Sequence, residues 1–77
     1  MPTKTTVSFY TAKVLMGELI EHARAFEKQY ERMLRTDKGS EKMLDILNEL
    51  SIEAMVIEMK SQDCKIVADE LIDAFPD

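Results

Sequence analysis

Between Met43 and Phe75 the apolar residues recur at alternating steps of four and three: Met43, Leu47, Leu50, Ala54, Ile57, Cys64, Ala68, Leu71 and Phe75. Ser61 fills the one polar step. Only a long helix brings such positions onto one side, and a repeat near 3.5 residues marks a helix packed lengthwise against another. A second series, Ile52, Met55, Met59 and Ile66, with Val56 beside it, runs along the opposite side of the same helix. A helix that is apolar on two sides needs two neighbours. The rest of the chain is long enough to supply one of them, so the other is expected to come from a second copy or a different protein.

The first half of the chain repeats the pattern. Phe9, Ala12, Met16, Leu19, Ala23, Phe26, Tyr30 and Met33 again fall three and four apart, with Leu15, Ile20 and Leu34 widening the stripe. This predicts a second long amphipathic helix, with Arg32 and Arg35 placed to complement the negative end of its dipole. Gly17 lowers its stability by about 1 kcal/mol relative to alanine. Residues 5–11 are rich in β-branched and aromatic side chains, which leaves helix and strand both open there.

Residues 36–40, Thr-Asp-Lys-Gly-Ser, break the pattern. Gly39 suits a left-handed stop, and Ser40 suits an N-cap with Glu41 in the first turn behind it. So short a loop makes the helices antiparallel neighbours. Folding about residue 38 sets Met33 against Met43, Tyr30 near Leu47, Phe26 near Leu50, Ala23 near Ala54 and Leu19 near Ile57. The prediction is an all-α antiparallel helical hairpin in one domain: an arm at 1–5, a helix at 6–35, a turn at 36–40 and a helix at 41–75. Ser61 lies in a polar stretch, so a kink there with a short third helix at the C-terminus is the alternative.

Seventy-seven residues leave no room for a second domain, and a core of that size supplies only about 3–5 kcal/mol. Two hairpins packed together would close a four-helix bundle, with the 52–66 side as the expected contact. The single cysteine excludes an internal disulfide, and no apolar run reaches the roughly 18 residues of a membrane span. With no secretory or transit pattern at the start of the sequence, a cytoplasmic protein without membrane contact is expected.

The net charge of −5 is unevenly spread. Residues 6–35 hold five basic and four acidic side chains; residues 41–77 hold three basic and ten acidic. Clustered acid opposes phosphate binding and favours basic protein surfaces, so nucleic acid is not an expected partner.

The candidate partner-binding residues are therefore Ile52, Met55, Val56, Met59 and Ile66, rimmed by Glu49, Glu53, Glu58 and Asp63. Methionine-rich surfaces adapt to varied partners. His22, the lone histidine, has Glu18 and Glu21 nearby but no second histidine, so pairing with a glutamate is expected rather than metal binding. Cys64 is read as a small buried apolar residue. Tyr10 and Val14 form a minor outward patch. No nucleophile or acid–base pair stands out, and no metal or cofactor is expected.

The function that follows is a small acidic, non-enzymatic protein-interaction module: an adaptor, anti-activator or inhibitor, in the form of a homodimer. The alternative is a DNA-binding regulator of the ribbon-helix-helix kind, with residues 3–9 as the pairing strand. Against it, the first helix is about twice too long for that fold, and the strand would carry only Lys4 toward DNA.

Overall fold

The computed structural model describes residues 8–75. Two helices account for nearly all of them: α1, Phe9–Leu34, and α2, Glu41–Asp73. They run antiparallel, as the short connection requires, and form a helical hairpin. Both starts are capped by serine, whose hydroxyl oxygen accepts an otherwise unpaired first-turn N–H. Ser8 accepts from the Thr11 amide and Ser40 from the Met43 amide, each at 3.1 Å. Phe9, Tyr10 and Thr11 are therefore helical. Residues 1–7 of the expected arm, helix start and alternative strand lie outside the described residues.

The turn closes without a left-handed glycine, contrary to the role expected of Gly39: among the described residues no glycine has positive φ. The Thr36 hydroxyl donates to the Arg32 carbonyl at 2.6 Å, and the Thr36 amide donates to the Met33 carbonyl at 3.3 Å, which satisfies the end of α1. On the far side the Ser40 hydroxyl donates to the Asp37 carbonyl at 2.8 Å. Side-chain hydroxyls thus do the work that a glycine stop does elsewhere. α2 runs through Ser61 without a break, so no third helix forms.

The seam between the helices follows the expected register but not the expected faces. Numbering the heptads so that Ala12 and Met43 are a positions, the inward set is Ala12, Leu15, Leu19, His22, Phe26, Gln29 and Met33 on α1. On α2 it is Met43, Ile46, Leu50, Glu53, Ile57, Lys60, Cys64, Val67 and Leu71. Every a position coincides with the residue expected from the sequence. Every alternate position has moved back by one: Leu15 for Met16, His22 for Ala23, Gln29 for Tyr30, Ile46 for Leu47, Glu53 for Ala54, Lys60 for Ser61 and Val67 for Ala68. Ile46 is the most deeply buried residue, 1% exposed, while Leu47 is 46% exposed. The expected alanine layer of Ala23 and Ala54 is on the surface.

Rotation toward the d positions buries two β-branched residues, Ile46 and Val67, near the two ends of the hairpin and leaves a polar middle. The buried residues among those described are Ala12, Met43, Ile46, Cys64 and Val67. They gather near the turn and near the open end. Cys64 is buried as expected, its thiol directed at the Leu15 carbonyl at 3.5 Å. The molecule measures 62 × 17 × 14 Å, a single layer of two helices each about 10–12 Å across. Stable domains pack at least two layers.

Candidate interaction surface

The middle of the hairpin is held by polar contacts. The His22 Nδ1 and a Glu53 carboxylate oxygen lie 2.8 Å apart, and the Lys60 ammonium donates to Glu18 at 2.8 Å. Both contacts cross between the helices where a continuous apolar seam was expected. Lys60 holds the Glu18 carboxyl below its ordinary range, first by the hydrogen bond and then by charge; in return Glu18 holds the Lys60 ammonium above its ordinary range. His22 thus pairs with a glutamate, as its lack of a second histidine suggested, but with one on the other helix.

This geometry removes two of the expected partner-binding residues from the outer surface. The side chain of Glu53 is only 18% exposed and is committed to His22; it belongs to the interhelix contact and not to an acidic rim. Val56 is half-buried at a flank of the seam. Both corrections have the cause already described: the inward face of α2 is centred one residue earlier than apolarity alone indicates.

Ile52, Met55, Met59 and Ile66 remain, all more than half exposed. They occupy c and f positions, across the helix from α1, and form one stripe along α2. Glu49, Glu58 and Asp63 are exposed beside them. Of the three lysines on α2, Lys60 is turned toward Glu18, and Lys65 donates to Asp69 at 2.6 Å within its own helix. The charges beside the stripe are therefore mostly acidic, among neutral Asn48, Ser51 and Gln62. Tyr10 and Val14 are exposed on α1.

A second apolar face lies where the expected seam series runs: its e residues belong to that series, while Leu44 and Ile72 stand outside it. The e positions of the two helices, with b positions beside them, lie along one edge of the hairpin: Phe9, Ile20, Ala23, Tyr30 and Leu34 on α1, and Leu44, Leu47, Ala54, Ser61 and Ile72 on α2. All are exposed. The opposite edge is more covered, with Glu18, Ala25, Val56 and Glu70 half-buried at g positions. The helices are thus rolled toward that edge and open toward the apolar one. The periodicity held the signal, since each helix could be read with two alternate series around one set of a positions. Near the turn, Met33, Leu34, Thr36, Lys38, Met43 and Leu47 line a cleft of about 360 Å³.

Among the described residues no three His, Cys, Asp or Glu side chains gather where they could hold a metal ion, and no helix is long and apolar enough to cross a membrane. No protein family, no curated protein and no solved structure matches the chain.

Proposed function

We propose that the chain is a non-enzymatic protein-interaction module whose outer stripe on α2 receives an amphipathic helix with basic flanks. The observation that carries this reading is the exposure of Ile52, Met55, Met59 and Ile66 in a single row with Glu49, Glu58 and Asp63 beside it. A row spaced by three and four residues presents anchors at the spacing of a facing helix. The acidic margin adds orientation and a faster encounter with Lys- and Arg-bearing partners, an effect that salt screens. Such a module acts by occupancy: it covers a surface that its partner needs, or bridges the partner to something else. A cytoplasmic setting is part of the same proposal and rests on the single cysteine, which has no disulfide partner in the chain.

The test is a titration with two synthetic amphipathic helices that share one leucine face, one flanked by lysine and arginine and the other by glutamate. The basic peptide binds, with an affinity that falls as salt rises, and Met55→Glu weakens it about tenfold or more. Equal binding of both peptides, or no effect of Met55→Glu, refutes the reading. Tight binding of duplex DNA at low salt would instead favour a nucleic-acid regulator.

A further inference from the structure

The outer stripe leaves the e and b edge of the hairpin uncovered, and that edge has the features of a contact with itself. We propose that it binds a second copy of the chain, turned end for end, to close a four-helix bundle. The inference does not rest on the outer stripe, which lies on another side of α2.

Direction around the helix comes first. On a helix of about 3.5 residues per turn, the e positions lie about a quarter turn from the a and d seam, b and c lie about 130° from it on either side, and f lies opposite. A square bundle needs two neighbours a quarter turn apart. The e positions meet that requirement, with the b positions flanking them; the 52–66 stripe, centred between c and f and expected from the sequence to be the dimer contact, does not.

Area gives the same answer. The chain exposes 6403 Å², whereas a compact monomer of 8.9 kDa exposes about 4,800 Å². The excess of about 1,600 Å² is summed over all 77 residues, and a stable interface needs only about 800 Å² of it from each partner.

Charge selects a second copy and its direction. The chain carries −5, yet the b positions on this edge include Lys13, Glu27, Glu58 and Lys65, a balanced set and all exposed. Two acidic chains can meet here without the repulsion they would feel across the outer stripe. Both glutamates lie nearer the turn than either lysine. An end-for-end copy therefore sets Glu27 near the Lys13 of its neighbour, whereas a copy running the same way would set Lys13 beside Lys65.

Shape agrees with that direction. Along its e positions the edge is small in the middle, where Ala23, Ala54 and Ser61 permit close approach, with Ile20 flanking them at a b position. Turned end for end, the exposed Phe9 and Phe75 of one copy reach the level of the apolar cleft at the turn of the other, between Leu34 and Leu47. An aromatic side chain entering a cleft is the usual anchor of an interface, and the two-fold axis makes the contact twice.

Sedimentation equilibrium of the full chain from micromolar to millimolar concentration tests the proposal. The expected mass is twice 8.9 kDa. Ala54→Arg, at an exposed alanine, yields a monomer with unchanged helical circular dichroism; Met55→Glu on the outer stripe remains a dimer. Lys13→Glu weakens the dimer several-fold, and adding Glu27→Lys restores it, a readout that survives even if Ala54→Arg fails to fold. A monomer at millimolar concentration, or loss of the dimer in Met55→Glu but not in Ala54→Arg, overturns the assignment of the face. A tighter dimer in Lys13→Glu overturns the end-for-end direction. Failure of the dimer leaves binding of the basic peptide untouched, and failure of the peptide leaves the dimer untouched.

Discussion

Replacing Ile46 and Leu47 separately by alanine distinguishes two packings that the sequence alone makes almost equally attractive. Ile46 is 1% exposed, so Ile46→Ala removes three carbons from a closed site: about 2.4 kcal/mol of transfer free energy at about 0.8 kcal/mol per methylene. The cavity adds to that, for a total of about 3 kcal/mol, within the usual range of about 2–5 kcal/mol. Leu47 is 46% exposed, so Leu47→Ala loses about half the transfer term, about 1 kcal/mol, and leaves no enclosed void. Since a chain of this size holds only about 3–5 kcal/mol in total, Ile46→Ala brings it close to its unfolding midpoint without denaturant. The assay is urea unfolding followed by far-ultraviolet circular dichroism, at a concentration below dimer formation so that Leu47 is not covered by a second copy. A loss in Leu47→Ala equal to or greater than that in Ile46→Ala would refute the reasoning, because it would place the seam on the alanine layer of Ala23 and Ala54.

Three further outcomes follow from the polar middle and from Gly17. The double change His22→Leu, Glu53→Leu exchanges a partly buried pair for two packed side chains and raises stability by about 1–2 kcal/mol, the lower part of the range for such exchanges because His22 still meets water. His22→Leu alone lowers stability, since it strands a carboxylate that is only 18% exposed; urea midpoints measure both. A β-carbon at Gly17 meets nothing within 4 Å, so Gly17→Ala stabilises α1 by about 1 kcal/mol, read as a higher thermal midpoint. The Glu18–Lys60 pair predicts a pH dependence. The Glu18 carboxyl is held below its ordinary value of 4.5, so its contribution is full above that pH and is lost as acid takes the solution down through the lowered value. Lys60 is held above its ordinary value of 10.5, so its contribution is full below that pH and is lost as alkali rises through the raised value. The stability difference between wild type and Lys60→Met is flat across neutral pH and moves in the variant's favour at both extremes; a slope at neutral pH would contradict the pairing.

Much of the fold is legible in the residues because two independent heptad series meet on one short turn. The a positions Leu19, Phe26, Met33, Leu50, Ile57 and Leu71 are apolar in any reading, and a fold about residue 38 puts them in register. The alternate positions are not legible by apolarity alone. Ala54 and Ser61 look more suited to a seam than Glu53 and Lys60, and preferring them discards Ile46 and Val67. What decides the matter is polar pairing between the helices: His22 lies level with Glu53, and Glu18 with Lys60, once the chain is folded at the turn. Polar groups able to pair across a layer were available in the sequence as a signal for the inward face. The outer stripe of Ile52, Met55, Met59 and Ile66 was legible because it lies across the helix from either choice of seam. The e and b edge is not legible by apolarity alone, because its e residues are as apolar as a seam requires.

The six isoleucines sample three faces of the hairpin: Ile46 and Ile57 the seam, Ile20 and Ile72 the apolar edge, Ile52 and Ile66 the outer stripe. Attenuation of their labelled methyl signals by a soluble paramagnet, followed from dilute to concentrated protein, therefore tests the central claim most directly. Ile46 and Ile57 should be protected throughout, Ile20 and Ile72 should become protected as the dimer forms, and Ile52 and Ile66 should stay open to the paramagnet until a basic helix is added. Protection of Ile52 and Ile66 on concentration, with Ile20 and Ile72 left open, would contradict the account and make the outer stripe the dimer contact.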